Sequence, residues 1–340
     1  MTDYLYVTAD VVGAETGGGI VTRNESDALR ALGGEATTVL SYPNEPRPWG
    51  ADDAACRWLL ERDLPPKLAH FYSGTFTNAI GILKRRGCKV TYTAAAHDIN
   101  VSREEHEKLG LPFDYPHLTD PEQWERYVRG YQLADVVICP STLSKRIMES
   151  YGCKNVVVIP HGVDLPSTVK SRPKRFAAAY LGQAGPDKGL RYLLEAWAKL
   201  DYKDALLTIA GYGTENLLPL VRQFDSGNVY LRGRVDNVDE VYDACSVLIQ
   251  PSASEGFGCE VLEALARGRP VICSDGAGAA DVISDRRFIV PARNARILAE
   301  MIHRVRLGEL FMSPEDARAI AMEYPWSRIR EWYQYQWRTL

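Results

Sequence analysis

Short apolar runs alternate with longer helical patterns along the whole chain, and this alternation limits the possible folds more than any other feature. The runs are rich in Val, Ile and Tyr, which is typical of strands buried on both faces of a sheet. Strands that alternate with helices predict parallel sheets covered by helices on both sides. The predicted strands are Tyr4–Thr8, Ala36–Leu40, Leu68–Tyr72, Lys89–Thr93, Asp135–Cys139, Val156–Pro160, Ala177–Leu181, Ala205–Ala210, Val229–Arg232, Ser246–Gln250, Pro270–Cys273 and Phe288–Pro291.

A polar stretch divides this series into two nearly equal halves. Residues 165–175 carry two prolines and no apolar periodicity, so we predict one domain over 1–165 and a second over 166–324. An aromatic-rich amphipathic helix follows a proline at 325–340, and we expect it to pack back on the first domain. The prediction is an α/β fold of two doubly wound domains that face each other across a cleft, with ligands beyond the carboxyl ends of the strands.

Composition excludes several classes of protein. The net charge of -4 argues against a nucleic-acid binder, which would normally be basic. We find no apolar stretch of about 18 residues that could span a membrane, and the first ten residues lack the basic and long apolar regions typical of a signal peptide. We therefore expect a cytoplasmic protein, and peripheral attachment to a membrane stays open. The seven cysteines form no C-x-x-C pair, and we expect them to be buried and reduced.

The strongest candidate site is the segment 251–266, which follows a predicted strand and opens a helix. Gly256 and Gly258 would let a ligand approach the backbone closely. The amino end of the helix offers N–H groups and partial positive charge, which suit a phosphate. Glu255 and Glu263 could hold hydroxyl-bearing groups on either side of a diphosphate. We interpret the segment as a site for a diphosphate flanked by hydroxyl-bearing groups rather than as a helix cap with solvated glutamates.

Three further segments follow predicted strands and carry polar or glycine-rich loops. Lys188, in the loop 180–190, can place a positive charge on a leaving diphosphate. His97 stands at the end of a strand in the first half. Gly17 and Gly18 belong to a run of three glycines that opens the first helix, although the dinucleotide spacing G-x-G-x-x-G is absent.

With these motifs the chain resembles the retaining GT-B glycosyltransferases of family 4, which include sucrose synthase and bacterial phosphatidylinositol mannosyltransferases. The resemblance covers essentially the whole chain, and Glu255 and Glu263 match the E-x7-E motif of that family. It implies two Rossmann-like domains, with Glu255 contacting donor-sugar hydroxyls and Glu263 contacting the ribose. It also implies that the backbone of Gly256, Phe257 and Gly258 faces the sugar and the phosphates.

The resemblance assigns roles to the other loops as well. Lys188 would grip the diphosphate, and His97 would lie near the primary hydroxyl of the donor sugar. Gly17 and Gly18 would border the phosphates and the acceptor.

Two positions depart from the family pattern. Gln183 stands where the family usually has an arginine, so one cation of an Arg/Lys pair is missing. Gln183 could act by hydrogen bonding, or another cation such as Arg234 could substitute. Asp281 stands where glutamate is common, which leaves the donor preference open.

The resulting expectation is a retaining enzyme that transfers a sugar from a UDP- or GDP-linked donor to a hydroxyl acceptor by same-face substitution. The acceptor could be a glycan, a lipid-linked molecule or a small molecule. No cofactor and no metal are expected, because no D-x-D triplet follows a strand and Lys188 supplies positive charge. Two alternatives stay open: a nucleotide-sugar epimerase of the same architecture, and a catalytically silent nucleotide-sugar-binding protein.

Overall fold

The contacts of the chain form two compact units. The structure is a computed structural model and describes residues 3–8, 17–38, 50–61, 65–72, 75–113, 115–224 and 228–340. Unit 1 consists of Met1–Ala96, Asp114–His161 and Trp326–Leu340, and unit 2 consists of His97–Phe113 and Gly162–Pro325. Each unit contains its own hydrophobic core.

Unit 1 contains a six-stranded parallel sheet in the order β2-β1-β3-β4-β5-β6. Its strands are β1 (Tyr4–Thr8), β2 (Glu35–Thr38), β3 (Leu68–Tyr72), β4 (Lys89–Thr93), β5 (Val136–Cys139) and β6 (Val156–Val158). The helices up to β6 are α1 (Gly17–Arg30), α2 (Gly50–Leu60), α3 (Thr77–Arg85), α4 (Ile99–Lys108), α5 (Pro116–Thr119), α6 (Pro121–Leu133) and α7 (Thr142–Ser150). Of these, α4 belongs to unit 2.

Unit 2 contains a second six-stranded parallel sheet, in the order β12-β11-β10-β7-β8-β9. Its strands are β7 (Ala177–Leu181), β8 (Leu206–Ala210), β9 (Val229–Gly233), β10 (Val247–Gln250), β11 (Val271–Ser274) and β12 (Ile289–Val290). The remaining helices are α8 (Leu190–Leu200), α9 (Leu218–Phe224), α10 (Asp239–Ala244), α11 (Cys259–Ala266), α12 (Ala295–Leu307), α13 (Pro314–Met322) and α14 (Trp326–Arg338).

The two sheets confirm the predicted α/β class and all twelve predicted strands. The observed ends lie within two residues of the predicted ends wherever the chain is described, while Val39 and Leu40 fall outside the described residues. Central strands such as β3, β7 and β10 are buried along their whole length. A strand covered by helices on both faces needs apolar residues on both, which explains why the runs are continuous rather than alternating.

A buried polar cluster lies inside unit 1, where the apolar pattern alone gave no sign of it. Glu25 of α1 accepts hydrogen bonds from the hydroxyls of Tyr6 and Thr93, both at 2.8 Å, and its Oε2 lies 3.3 Å from Nε2 of His70. All four residues are fully or almost fully buried. Burial alone would raise the pKa of Glu25, but the charge of His70 and these hydrogen bonds outweigh it and lower the pKa.

Helix α14 packs on α1 and closes the same region of unit 1. The indole Nε1 of Trp337 donates to Thr91 Oγ1 at 3.1 Å, and Gln334 donates to the carbonyl of Ala28 at 3.1 Å. Trp337 is 2% exposed. The aromatic stripe of this helix is therefore core.

Residues 97–113 group with unit 2, although the sequence-based division at 165 placed them with the first half of the chain. The reason is local: α4 contacts the loop that follows β7, and side chains of unit 2 hold its acidic face.

Other sequence expectations concern cysteines and membrane segments. All seven cysteines are free thiols, five of them buried and Cys56 and Cys259 partly buried. Among the helices that the structure describes, none combines the length and the apolar character needed to cross a bilayer.

We predict that Trp337→Ala destabilises unit 1 by about 3–5 kcal/mol, because it removes a fully buried aromatic side chain and leaves Thr91 without its indole donor. Urea unfolding followed by far-UV circular dichroism measures the change. Tyr335→Ala, on the same helix but 70% exposed, is the matched control and should stay within about 0.5 kcal/mol of the unsubstituted protein. Equal losses from both substitutions would contradict the packing described above.

Candidate functional site

The topology of unit 2 fixes where a ligand can bind. Its strand order reverses direction between β7 and β10, which are neighbours in the sheet although two strands separate them in sequence. Loops that leave adjacent strands toward opposite faces of a sheet open a crevice at the carboxyl edge. The loops after β7 and after β10 are the two segments that carry Lys188 and Glu255.

Backbone hydrogen bonds hold these two loops together. The carbonyl of Asp187 accepts from the N–H groups of Ala253, at 2.7 Å, and of Ser254, at 3.2 Å. Gly189 follows with φ 70°, and a Cβ there would lie 2.0 Å from the carbonyl oxygen of Pro251. Only glycine therefore allows the loops to approach this closely.

The side chains of Lys188 and Glu255 form an ion pair at this junction. Each side chain is about one-fifth exposed, at 21% and 19% respectively. Both groups are thus partly desolvated yet still reachable from outside. Lys188 and Glu255 were both predicted as site residues, and they are 67 residues apart in the sequence. The structure brings their side chains into contact.

A third loop, after β11, fixes the other side of Glu255. The N–H of Glu255 donates to the carbonyl of Gly276 at 2.9 Å, and the N–H of Gly278 donates back to the carbonyl of Glu255 at 2.9 Å. The N–H of Ala279 donates to the carbonyl of Phe257 at 2.8 Å. The backbone around Glu255 is therefore held from two sides before any ligand arrives.

Gly258 begins helix α11 in a conformation that other residues rarely adopt. Its φ is 99°, and a Cβ there would lie 3.3 Å from Nε2 of the buried Gln250. The side chain of Phe257 is 2% exposed and packs in the core, so this part of the loop can offer a ligand only backbone groups. The first turn of α11 directs N–H groups toward the same edge of the sheet as Lys188.

Glu263 lies in the second turn of α11, and a hydrogen bond from Tyr242 orients its carboxylate. The buried hydroxyl of Tyr242 donates to its Oε2 at 2.6 Å, and Arg267 stacks over the Tyr242 ring at 4.8 Å. One carboxylate oxygen is thus oriented by the protein, and the side chain remains partly exposed. Tyr242 was not predicted, since nothing in its local sequence signals a contact with a helix 21 residues away.

Gln183 and Arg234 lie at the ends of β7 and β9. The carbonyl of Gln183 accepts from the Tyr180 hydroxyl at 2.8 Å. Farther along the sheet, the N–H of Gly211 donates to the carbonyl of Gly233 at 2.7 Å, and this bond aligns the loops after β8 and β9. Arg234 is exposed and lies two strands from β7, a spacing of about 10 Å. Arg234 therefore lies at the β9 end of the carboxyl edge of the sheet, away from the loop of Lys188.

His97 belongs to unit 2, in the segment that leads into α4. It is exposed, and its neighbour Asp98 donates its backbone N–H to Ser254 Oγ at 2.6 Å. Unit 2 therefore contains His97 together with the loops of Lys188 and Glu255. Gly17 and Gly18 open α1 in unit 1, and Thr16 before them lies outside the described residues.

Glu260, in the first turn of α11, is a candidate that the sequence analysis missed. Its Oε1 lies 3.4 Å from the position that a Cβ on Gly182 would occupy, which places the carboxyl against the loop after β7. Burial, with a smaller contribution from the charge of Glu263, raises the pKa of Glu260 to about 7, although Lys188 opposes the shift. The sequence did contain a signal for this site: Glu260 and Glu263 lie three residues apart near the start of a predicted helix.

No metal cluster accompanies these groups within the part of the chain that the structure describes. Three or more His, Cys, Asp or Glu side chains do not converge there in a way that could hold an ion. Lys188 and the start of α11 supply positive charge beside Glu255.

Comparison with known proteins agrees with this architecture. Residues 16–166 match the model of Glycosyltransferase Family 4, and residues 175–306 match the model of Glycosyl transferases group 1. An uncharacterised glycosyltransferase of Methanocaldococcus jannaschii is 27% identical over 205 residues, which are 57% of this chain and 57% of that relative. The alignment thus spans little more than half the length of either protein.

Solved structures show that the fold is GT-B. Sucrose-phosphate synthase from Thermosynechococcus elongatus is similar with a TM-score of 0.79 at 18% identity, over 99% of this chain and 98% of that chain. The Anabaena protein HepE, solved in complex with UDP, is similar with a TM-score of 0.72 at 16% identity over the whole of both chains. At these identities the likeness establishes the architecture alone.

We predict that Glu260→Gln stabilises unit 2 at pH 8 and has little effect near pH 4.5. The pKa of Glu260 in the folded protein, about 7, lies above its ordinary value of 4.5. Ionisation therefore costs the folded state stability, beginning above pH 4.5 and reaching its full extent above pH 7. Glutamine cannot ionise, so the difference in melting temperature should grow across this window.

Thermal unfolding in buffers from pH 4.5 to pH 8 tests this expectation. Glu300→Gln, at an exposed position on α12, is the matched control. A melting-temperature difference for Glu260→Gln that stays constant across the range would show that the carboxyl is not held in its neutral form.

Proposed function

We propose that this chain, a GT-B glycosyltransferase, transfers a hexosyl group from a nucleoside diphosphate sugar to a hydroxyl acceptor with retention of configuration. The observation that carries the proposal is the pairing of Lys188 with Glu255 at the switch point of unit 2, beside the start of α11. A cation, a carboxylate and helix N–H groups at one edge suit a ligand with an anionic diphosphate next to a ring of hydroxyls.

Donor binding would exchange the partners of the ion pair between Lys188 and Glu255. Lys188 and Glu255 neutralise each other while no donor is present. A bound donor exchanges the partner of each group: its phosphates take the ammonium of Lys188, and its sugar hydroxyls donate to Glu255. Lys188 then has an anionic partner, and Glu255 has hydrogen-bond donors in place of the cation.

Glu263 and the loops after β8 and β9 fit the nucleoside part of the donor. Its carboxylate, oriented by Tyr242, can accept hydrogen bonds from both hydroxyls of a ribose. The full-length similarity to HepE, which was solved with UDP, favours a uridine diphosphate donor, and a GDP-linked donor is the alternative. Arg234, which follows β9, would lie on the nucleoside side rather than at the leaving phosphates.

The proposed reaction is same-face substitution. The bond between the anomeric carbon and the phosphate oxygen breaks, and its electron pair leaves with the diphosphate. The acceptor oxygen bonds to the anomeric carbon on that same face, and its proton passes to an oxygen of the diphosphate. The protein acts by positioning and by stabilising the charge that grows on the leaving group, through Lys188 and the N–H groups of α11.

We predict that Lys188→Ala lowers kcat by about 10²–10³-fold while the protein stays folded, because the leaving diphosphate loses its cation. Lys199→Ala is the matched control: Lys199 lies on α8 and pairs with Glu195 at the surface. Transfer from UDP- and GDP-sugars to a panel of hydroxyl acceptors measures the rates, and NMR of the product reports the anomeric configuration. Turnover near the unsubstituted rate in Lys188→Ala would refute the assignment, and an inverted product would refute retention.

We also predict that transfer persists in the presence of excess EDTA, because the positive charge needed at the diphosphate comes from Lys188 and α11. Initial rates before and after dialysis against the chelator measure this, with Mg²⁺ added back as the control. Loss of activity that Mg²⁺ restores would show that a divalent ion carries the charge instead.

A further inference from the structure

Ser254 connects three segments of unit 2 at one buried point. Its backbone N–H donates to the carbonyl of Asp187 at 3.2 Å, and its Oγ accepts from the backbone N–H of Asp98 at 2.6 Å. The residue is 2% exposed. Asp98, Asp187 and Ser254 come from the loops after β4, β7 and β10, so a single serine joins loops from three strands.

Each residue at this point is the direct chain neighbour of a candidate site residue. Asp98 follows His97, Asp187 precedes Lys188, and Ser254 precedes Glu255. A shift of any of these backbones would therefore move one of the three side chains against the other two.

The remainder of α4 is anchored independently of Ser254. The Asp98 carboxylate caps the helix by accepting from the N–H of Asn100 at 2.9 Å. At the other end two residues of α8 hold the helix: Glu105, which is 1% exposed, accepts from the Tyr192 hydroxyl at 3.0 Å, and the carbonyl of Lys108 accepts from Arg191 Nη1 at 3.2 Å. Loss of the Ser254 bond would leave α4 attached to α8 and would free only the segment that carries His97.

We infer that Ser254 is a positioning residue, whose hydroxyl sets the segment of His97 against the loops of Lys188 and Glu255. The catalytic consequence of this role rests on the proposed function. Its structural consequence rests on the hydrogen bonds alone. Ser254 would not contact the donor itself. It would act through His97, and a displacement of about 1 Å at a reacting group can cost as much as 10²-fold in rate.

The variant Ser254→Ala removes the Oγ acceptor and keeps the backbone bond to Asp187. We expect kcat to fall about 10- to 100-fold with little change in the KM for the donor. We expect the same substitution to have no further effect in a His97→Ala background, because the segment then carries no side chain to position. Such non-additivity is the signature of two residues that act as one unit.

A second measurement does not depend on activity. Hydrogen–deuterium exchange of the backbone amides at 97–101 should be faster in Ser254→Ala, while the amides of the anchored end of α4 keep their protection. Glu107→Gln, at an exposed position on the same helix, is the matched control for both measurements.

The outcomes separate this inference from the proposed function. Additive rate losses for Ser254→Ala and His97→Ala, or unchanged amide exchange at 97–101, would overturn the positioning role even if the enzyme transfers sugar. An unsubstituted protein that transfers from no nucleotide sugar would overturn the proposed function, and the exchange measurement would then decide the inference by itself.

Discussion

The carbonyl group of Asp187 is the constraint on which the site of unit 2 depends. By accepting from both Ala253 and Ser254 it joins the loops after β7 and β10, and Gly189 permits the close approach that those bonds require. The parallel sheet brings the two loops to one edge, but it does not fix their separation. The backbone bonds do, and they place the ammonium of Lys188 on the carboxylate of Glu255. Polar chemistry is thus set by main-chain geometry rather than by side-chain packing.

Sequence reasoning predicted the strands and the loops well, because both are local features. A continuous apolar run such as Val247–Gln250 signals a buried strand wherever it lies, and a Gly-x-Gly after it signals a loop before the next helix. The features that sequence reasoning missed depend on contacts between segments that are distant in the sequence. The grouping of 97–113 with unit 2, the hydroxyl of Tyr242 beneath Glu263 and the environment of Glu260 follow from side chains that meet only after the sheet has formed. The buried cluster around Glu25 is of the same kind.

The electrostatics of the site differ from the pattern of the family that the sequence resembles. Gln183 removes one positive charge at the end of β7, and Glu260 adds a carboxyl group beside the same loop. With its pKa near 7, Glu260 is partly protonated in neutral solution and can donate a hydrogen bond where a carboxylate could only repel an anion. Lys188 and the first turn of α11 supply positive charge beside this loop.

The chain passes between the two units several times, and this has a consequence for biosynthesis. Unit 1 receives α14 from the last described residues, and unit 2 receives α4 from between two strands of unit 1. A ribosome that has delivered β1 to β6 has therefore not yet delivered the helix whose Trp337 donates to Thr91. The buried Glu25 and His70 remain partly uncovered until α14 has been synthesised, so unit 1 begins before unit 2 and is completed after it.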